Sequence, residues 1–191
     1  CSRGRAVAYA YWPHYDSLCH EHGPMGKLPA KHLRELDVFL GRLQRALAGT
    51  DTLLLVTADH GHMQTTTHIN LAQIPGLYDT QAILPSGDAR MVQCFVRPNR
   101  VQDFLRLTRQ APLHGAVACV PQATLLRSGI LGPGRPHPAL LNRLGDYTLF
   151  AVPGHALLYP PAQAKDKKLM PGNHGGLSAD ELDVPLFVVP C

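Results

Sequence analysis

Apolar runs alternate with one long amphipathic segment in the first third of the chain, which predicts a strand, a helix and a second strand. Arg5 to Trp12, rich in Ala, Val and Tyr, has the pattern of a short buried strand. From about Leu28 to Ala48, leucines recur every three or four residues with basic residues between them. This spacing predicts a surface helix whose buried stripe consists of Leu33, Leu36, Leu40, Leu43 and Leu47. Thr52 to Thr57 is a continuous apolar run, typical of a parallel strand covered on both faces.

The remainder of the chain continues the alternation of strands and helices. Asn99 is predicted to cap a helix that runs to about Gln110. Further strands are predicted at Met91 to Val96, Val117 to Val120, Tyr147 to Val152 and Val184 to Val189. No repeat and no clear linker divides the sequence, so we interpret residues 1–191 as a single α/β domain. In such a sheet a strand–helix–strand crossover is right-handed, and ligands gather at the carboxyl ends of the strands.

The amino-acid composition limits the classes of protein to which the chain can belong. The chain has 191 residues, of which 45% are hydrophobic and 17% charged, as in ordinary globular proteins. Most basic residues are scattered, and the one dense run, Lys165 to Lys168, is better explained as a solvated loop than as a nucleic-acid groove. We therefore expect neither a nucleic-acid partner nor a membrane span, because no apolar run approaches the roughly 20 residues that a membrane helix needs. A net charge of +4 suits an anionic substrate.

The cysteines do not indicate a disulfide framework or a metal site. Their number, five, is odd and no two have the Cys-x2-Cys spacing, so the sequence predicts neither a disulfide framework nor a thiolate zinc site.

Carboxylates and imidazoles follow the predicted strands in three places. Asp16 and His20 have the i,i+4 spacing that points two side chains the same way from one helical turn. Asp59 and His60 directly follow the second strand, and His174 lies between glycines. Such groups are the ligands that zinc and similar divalent ions prefer. We therefore predict a metal centre at the edge where these strands end.

Each group alone has a simpler explanation. An Asp-x3-His pair is commonly an ion pair on a helix surface, Asp-His-Gly after a strand is commonly a turn, and a single histidine between glycines is commonly a loop residue. The metal hypothesis depends on the conjunction of the three.

Five segments of the chain resemble the alkaline phosphatase superfamily and, within it, the nucleotide pyrophosphatase and phosphodiesterase-like branch. The resemblance covers nearly the whole chain, and the last two segments are similar to bacterial members. The segments are Tyr11 to Pro24, Thr57 to Met63, His174 to Ser178 before Val184-Pro185-Leu186, Gly145 to Tyr147, and the loop at Gly132-Pro133.

The resemblance implies a three-layer α/β/α sandwich with a mostly parallel central sheet and a site for two divalent ions. By this resemblance Asp16, His20 and His174 hold one ion, while Asp59 and His60 supply two ligands of the other. The ions are commonly zinc, and manganese uses similar ligands. Two such ions can polarise a phosphoryl oxygen and stabilise a leaving oxygen. The implied function is hydrolysis of phosphate esters, with a small phosphorylated substrate, nucleotides included.

The sequence departs from the family pattern at its beginning. Members carry a further Asp ligand and a Thr or Ser nucleophile on an N-terminal portion that we do not find before Arg5. Ser17, Thr57 and Thr66 lack the family's context, so the catalytic nucleophile stays unassigned. We interpret the chain as the C-terminal part of a longer catalytic domain that is inactive alone. The apolar surface that would pack against the family's N-terminal portion would then be exposed and would favour self-association.

Alternative functions remain open. The chain is also consistent with a non-catalytic metal-binding fragment or pseudoenzyme, and with a relative of phosphomonoesterases, phosphonate hydrolases, sulfatases or phosphomutases. The Asp-x3-His-x2-Gly-Pro block favours the phosphodiesterase branch. The neighbouring polar residues are expected to be bystanders or to orient metal-bound imidazoles; they are Glu21, His22, His62 and His68.

Overall fold

The computed structural model describes residues 4–159 and 169–191, so Cys1 and the run from Lys165 to Lys168 lie outside the described residues. Within these ranges the helices are α1 His14–His22, α2 Lys27–Leu47, α3 Val101–Thr108, α4 Gln122–Arg127, α5 Pro138–Arg143 and α6 Ala179–Leu182. The strands are β1 Leu53–Thr57, β2 Met63–Gln64, β3 Thr67–Asn70, β4 Ser86–Asp88, β5 Met91–Cys94, β6 Val117–Pro121, β7 Tyr147–Ala151, β8 His155–Leu158, β9 Gly172–Asn173 and β10 Leu186–Pro190.

The predicted amphipathic helix is confirmed as α2, which follows α1 after a short turn. Gly23 ends α1 with a φ of 75°, and its amide donates to the carbonyl of Cys19 at 2.9 Å. A left-handed φ is the conformation that glycine adopts without steric cost. Most of the predicted leucine stripe is half-buried, while Leu33 is exposed. The α1 and α2 helices pack against each other and present Asp16 and His20 from α1.

The main core lies in a lobe built on a four-stranded antiparallel sheet of order β4-β5-β7-β6. Buried apolar side chains from β5 and β7 pack with Phe104 of α3, which is fully buried. The core also includes Leu71, Leu77, Val92, Leu113, Leu149 and Leu157. Burying these side chains removes apolar surface from water and stabilises the lobe.

The remaining described strands form three two-stranded sheets. β1 pairs antiparallel with β10, from Leu53 opposite Pro190 to Thr57 opposite Leu186. β2 pairs antiparallel with β9, which places Met63 opposite Asn173. β3 pairs with β8 in parallel. The β2–β9 pair brings the residue after Asn173 beside the segment that precedes Met63.

The predicted mostly parallel sheet is not confirmed, because in the part of the chain that the structure describes only the β3–β8 pair is parallel. The predicted strand from Arg5 to Trp12 is also wrong, since these residues are exposed and form no strand. A strand needs a hydrogen-bonded neighbour, and this segment pairs with none among the described residues. The crossover into β1 therefore lacks its first strand.

The third difference from prediction concerns the start of α3. Asn99 does not cap the helix, because Pro98–Arg100 form a 3-10 turn and α3 begins at Val101. Pro98 opens this turn, and its fixed φ suits a first helical position.

Both faces of the β1–β10 ribbon leave large apolar side chains exposed, among them Leu53, Leu55, Leu186 and Phe187. Val7 and Tyr9 in the preceding extended segment are exposed as well. An isolated two-stranded ribbon is at best marginally stable in water. Among residues 4–159 and 169–191, every helix falls short of the length or the apolar composition that a membrane span requires.

Candidate metal centre

The carboxylate of Asp16 lies at the centre of the histidine cluster. Its Oδ1 is 3.4 Å from Nε2 of His20, one turn further along α1. The Nδ1 of His20 is 2.9 Å from the carbonyl oxygen of Gly172. Because a carbonyl only accepts hydrogen bonds, Nδ1 donates this bond, and Nε2 is the ring nitrogen that faces the carboxylate. A metal-binding imidazole is oriented in this way by a partner on its other nitrogen.

His174 reaches the same carboxylate from the other end of the chain. It follows β9, whose Asn173 is buried and donates to the hydroxyl of Thr65 at 2.6 Å and to the carbonyl of Met170 at 2.7 Å. The Nε2 of His174 is 4.0 Å from Asp16 Oδ1. One ligand atom each from Asp16, His20 and His174 lies within 4.8 Å of the others. The structure thus brings together the three residues that the sequence assigns to one ion.

His62 contacts the carboxylate more closely than either predicted histidine ligand. Its Nε2 lies 2.7 Å from Asp16 Oδ1, and its buried Nδ1 has no hydrogen-bond partner among the described residues. From the sequence, His62 is predicted to be a bystander or to orient a metal-bound imidazole. The available signal was its spacing from His60, because residues two apart in extended backbone face the same side. The two rings lie 5.4 Å apart.

Asp59 and His60 occupy the margin of the cluster. The Asp59 carboxylate is largely exposed and lies 3.7 Å from Nε2 of His60. The His60 ring stacks on His174 with centroids 3.6 Å apart, and His60 forms a second ligand group with Asp16 and His62. The two residues predicted for a second ion are therefore adjacent to the three-residue group, and their assignment to that ion stays a prediction.

Burial favours the neutral form of two imidazoles in the cluster. Burial lowers the pKa of His62, and the hydrogen bond to Asp16 opposes that shift without cancelling it. Burial, and then the neighbouring His60 and His20, also lower the pKa of His174. Both imidazoles are therefore neutral at pH 7, which is the form that binds metal.

The donor set fits a zinc-like ion. Asp16 supplies a carboxylate oxygen, and His20, His62 and His174 present imidazole nitrogens around it. The three donors of the Asp16, His20 and His174 group match a zinc site that leaves a fourth position open. Within residues 4–159 and 169–191, no lysine or arginine forms an ion pair with Asp16 or Asp59.

The remaining candidates lie away from this cluster or are engaged elsewhere. The hydroxyl of Thr57 donates to the carbonyl of Pro185 at 2.8 Å, and that of Ser17 donates to the carbonyl of Pro13. Thr66 is exposed. His68 Nε2 contacts the carbonyl of Met170, and His22 lies 3.8 Å from Glu21. Neither Thr57 nor Ser17 therefore presents an unengaged hydroxyl.

A cavity of about 330 Å³ opens beside the cluster. Asp59, His60 and His174 contribute to its lining together with mostly apolar side chains. The apolar part includes Met91, Leu125, Ile130, Leu131, Phe150, Leu177 and Leu182. The cavity is within the size range of small-molecule sites.

Solved structures with this fold include three relevant proteins. Murine ectonucleotide pyrophosphatase/phosphodiesterase 5 matches at 18% identity with a TM-score of 0.66, over 91% of this chain and 44% of that one. The human protein matches at 18% identity and a TM-score of 0.68, with the same coverage. Phosphonoacetate hydrolase from Sinorhizobium meliloti 1021 matches at 19% identity with a TM-score of 0.63, over 91% of this chain and 43% of that one. The chain thus spans less than half the length of these structures.

The sequence comparisons give a family but no individual relative. A search of curated proteins finds no significant match. The sequence profile described as type I phosphodiesterase/nucleotide pyrophosphatase matches residues 4–176, which is most of the chain. The expected resemblance to the alkaline phosphatase superfamily is confirmed by this match and by the shared fold. The chain belongs to the type I phosphodiesterase/nucleotide pyrophosphatase family.

Proposed function

We propose that this chain supplies the larger part of the metal centre of a hydrolase that cleaves phosphate esters. The observation that carries the proposal is the convergence of Asp16, His20 and His174, whose ligand atoms lie within 4.8 Å of one another. These residues would hold one divalent ion, with zinc preferred and manganese an alternative. The family match supports phosphoester hydrolysis as the reaction.

The residues of the chain have distinct roles in this proposal. When bound, the metal supplies Lewis-acid polarisation of a phosphoryl oxygen. Gly172 orients His20 through its carbonyl, and His62 restricts the Asp16 carboxylate through the 2.7 Å contact. Burial lowers the pKa of His62 and of His174, which favours the neutral imidazole that metal binding requires.

We further propose that residues outside this chain complete the site. Asp59 and His60 would hold a second ion together with the family's further Asp, beside its Thr or Ser nucleophile. The exposed apolar side chains of β1 and β10 support this proposal, because such a face is suited to packing against further strands. The three-layer sandwich with a mostly parallel sheet would then arise in the longer protein. Alone, the chain would be inactive and would self-associate through this face.

The proposed substrate is a small phosphorylated molecule, and a nucleotide is the first candidate. An inactive form of the murine relative was solved in complex with AMP, which supports a nucleotide. The hydrolase from Sinorhizobium meliloti was solved in complex with phosphonoacetate, which makes a phosphonate the second candidate. The cavity beside His60 and His174 has room for the part of the substrate that leaves phosphorus.

The decisive experiment is zinc titration of the purified chain by calorimetry, with bound metal measured independently by mass spectrometry. We expect zinc binding by the wild type and its loss, or a weakening by at least tenfold, in His174→Ala. His114→Ala is the matched control, because His114 is exposed and lies outside the cluster. A wild type without bound zinc, or His174→Ala with unchanged affinity, would overturn the metal assignment.

A second assay separates the hydrolase from a non-catalytic metal-binding protein. The chain alone should not turn over bis(4-nitrophenyl) phosphate, whereas a protein that also contains the family's N-terminal portion should. Turnover by the isolated chain would show that the nucleophile lies within it. A zinc-loaded longer protein without turnover would favour the pseudoenzyme.

A further inference from the structure

A fully buried ion pair contacts the loop that follows His174. The side chains of Arg90 and Glu181 are each 1% exposed. Arg90 Nε donates to Glu181 Oε1 at 2.8 Å, and Nη2 donates to Oε2 at 3.0 Å. This is the bidentate arrangement of guanidinium and carboxylate, which adds geometric specificity to the charge interaction. The pair joins the antiparallel lobe to α6, and its two residues are 91 positions apart in the sequence.

The Glu181 carboxylate also holds the backbone that follows His174. Its Oε1 accepts from the amide of Gly176 at 2.9 Å, and Oε2 accepts from the amide of Ser178 at 3.3 Å and from the Ser178 hydroxyl. A Cβ at Gly176 would lie 2.6 Å from Oε2, so the carboxylate is packed against bare backbone. The position of the loop after His174 is therefore set by Glu181.

The same helix holds the segment that carries the other histidines. The amide of Gly61, between His60 and His62, donates to the backbone carbonyl of Glu181 at 2.9 Å. A Cβ at Gly61 would lie 2.0 Å from the carbonyl oxygen of Asp180, so no larger residue fits this contact. Helix α6 thus contacts both histidine-bearing segments, one through the Glu181 side chain and one through its backbone.

Arg90 fixes this arrangement to the rigid part of the molecule. Its Nη1 donates to the carbonyl of Val152 at 2.7 Å and to that of His155. The backbone of Arg90 accepts from Ala151 at 2.9 Å, at the end of β7. Arg90 therefore links the lobe to Glu181, and Glu181 in turn binds Gly176, which lies two residues after His174 in the sequence.

We propose that Glu181, held by Arg90, is a positioning residue of the metal centre. It fixes the His174 loop and the segment of His60 and His62 relative to each other, so that their imidazoles meet the Asp16 carboxylate. A buried ion pair is weak evidence for stability by itself, since apolar replacements are often neutral. Glu181 has a second role because it accepts hydrogen bonds from both histidine-bearing segments, from Gly176 through its carboxylate and from Gly61 through its backbone carbonyl. The inference rests on the proposed metal centre.

The test measures zinc affinity by competition with a chromophoric chelator, together with the visible spectrum of the Co²⁺-substituted chain. We expect Glu181→Gln to weaken zinc binding by roughly 10–100-fold, the range for partners that orient metal ligands, and to alter the Co²⁺ spectrum. Glu181→Asp, which retains the charge, should restore part of the affinity. Asp146→Asn is the control, because it perturbs a 2.7 Å hydrogen bond to Val96 in the lobe, away from the centre.

A paired apolar replacement separates positioning from folding. Arg90→Met combined with Glu181→Leu removes the pair without leaving an unpaired buried charge, so the fold should persist. We expect the double variant to bind zinc at least tenfold more weakly than the wild type while its melting temperature stays within a few degrees. Wild-type zinc affinity in Glu181→Gln, or in the folded double variant, would overturn the inference.

A readout without metal distinguishes this inference from the proposed function. Amide hydrogen exchange at Gly61 and Gly176 should accelerate in Glu181→Gln and stay unchanged in Asp146→Asn. Equal protection of both amides in wild type and Glu181→Gln would contradict the positioning role, whether or not metal binds. Absence of zinc binding by the wild type, in contrast, would refute the proposed metal centre itself.

Discussion

Replacing Gly172 by alanine should damage both the fold and the metal centre through one added methyl group. The Cβ would lie 2.0 Å from the carbonyl oxygen of Cys19 and 2.7 Å from its carbonyl carbon. Both are backbone atoms of α1, so neither can rotate away as a side chain would. The contact must open by more than about 1 Å before it reaches ordinary van der Waals distance.

The expected magnitude follows from the contacts of this residue. Overpacking of a tight site costs about 1–3 kcal/mol in unfolding free energy. The same displacement moves the Gly172 carbonyl, which accepts from His20 Nδ1 at 2.9 Å, and thereby disturbs the orientation of His20. Loss of such an orienting contact typically weakens metal binding by about 10–100-fold.

Urea unfolding and zinc competition measure the two effects separately. Gly41→Ala is the matched control, since Gly41 lies within α2 and its Cβ would meet only the end of the Arg45 side chain at 3.6 Å. Alanine within a helix should stabilise the chain by about 0.5–1 kcal/mol. The same substitution should thus lower the unfolding free energy at Gly172 and raise it at Gly41. An unfolding free energy of Gly172→Ala within about 0.5 kcal/mol of wild type, with unchanged zinc affinity, would refute the reasoning.

Three further predictions concern the core, the cluster and the buried pair. Phe104→Ala should destabilise the chain by about 3–5 kcal/mol in urea unfolding because Phe104 is fully buried; a loss below about 1 kcal/mol would contradict its place in the core. His62→Ala should weaken zinc binding, measured by calorimetry, by roughly tenfold, whereas His68→Ala should not, and equal effects would argue against a role for His62. Burial opposes ionisation of Glu181, but its hydrogen bonds, first from Arg90, outweigh burial and lower its pKa below 4.5. Its contribution to stability is therefore present above pH 4.5 and is lost as the pH falls through the folded-state pKa. Unfolding free energies measured from pH 6 to 3 should decline less in Glu181→Gln than in wild type, and parallel profiles would contradict this sign.

The elements that sequence periodicity predicted well are those decided by local interactions. The leucine repeat gave α2 within one residue of its observed bounds, because a helix forms its hydrogen bonds within one segment. The strands near Thr52, Met91 and Tyr147 were also predicted from their apolar runs. Their directions were not, because strand pairing depends on neighbours remote in sequence. Arg5 to Trp12 has the composition of a strand but lies exposed without a paired neighbour in the described ranges.

The sequence by itself determined the i,i+4 pair of Asp16 and His20, because helix geometry places such residues on one face. It also determined the family and the candidate ligand types. Only the tertiary structure decided which imidazoles meet the carboxylate. The β2–β9 pairing brings His174 beside the His62 segment across more than half of the chain, and the His62–Asp16 contact joins residues 46 positions apart. Such contacts depend on long-range packing, which no local spacing encodes.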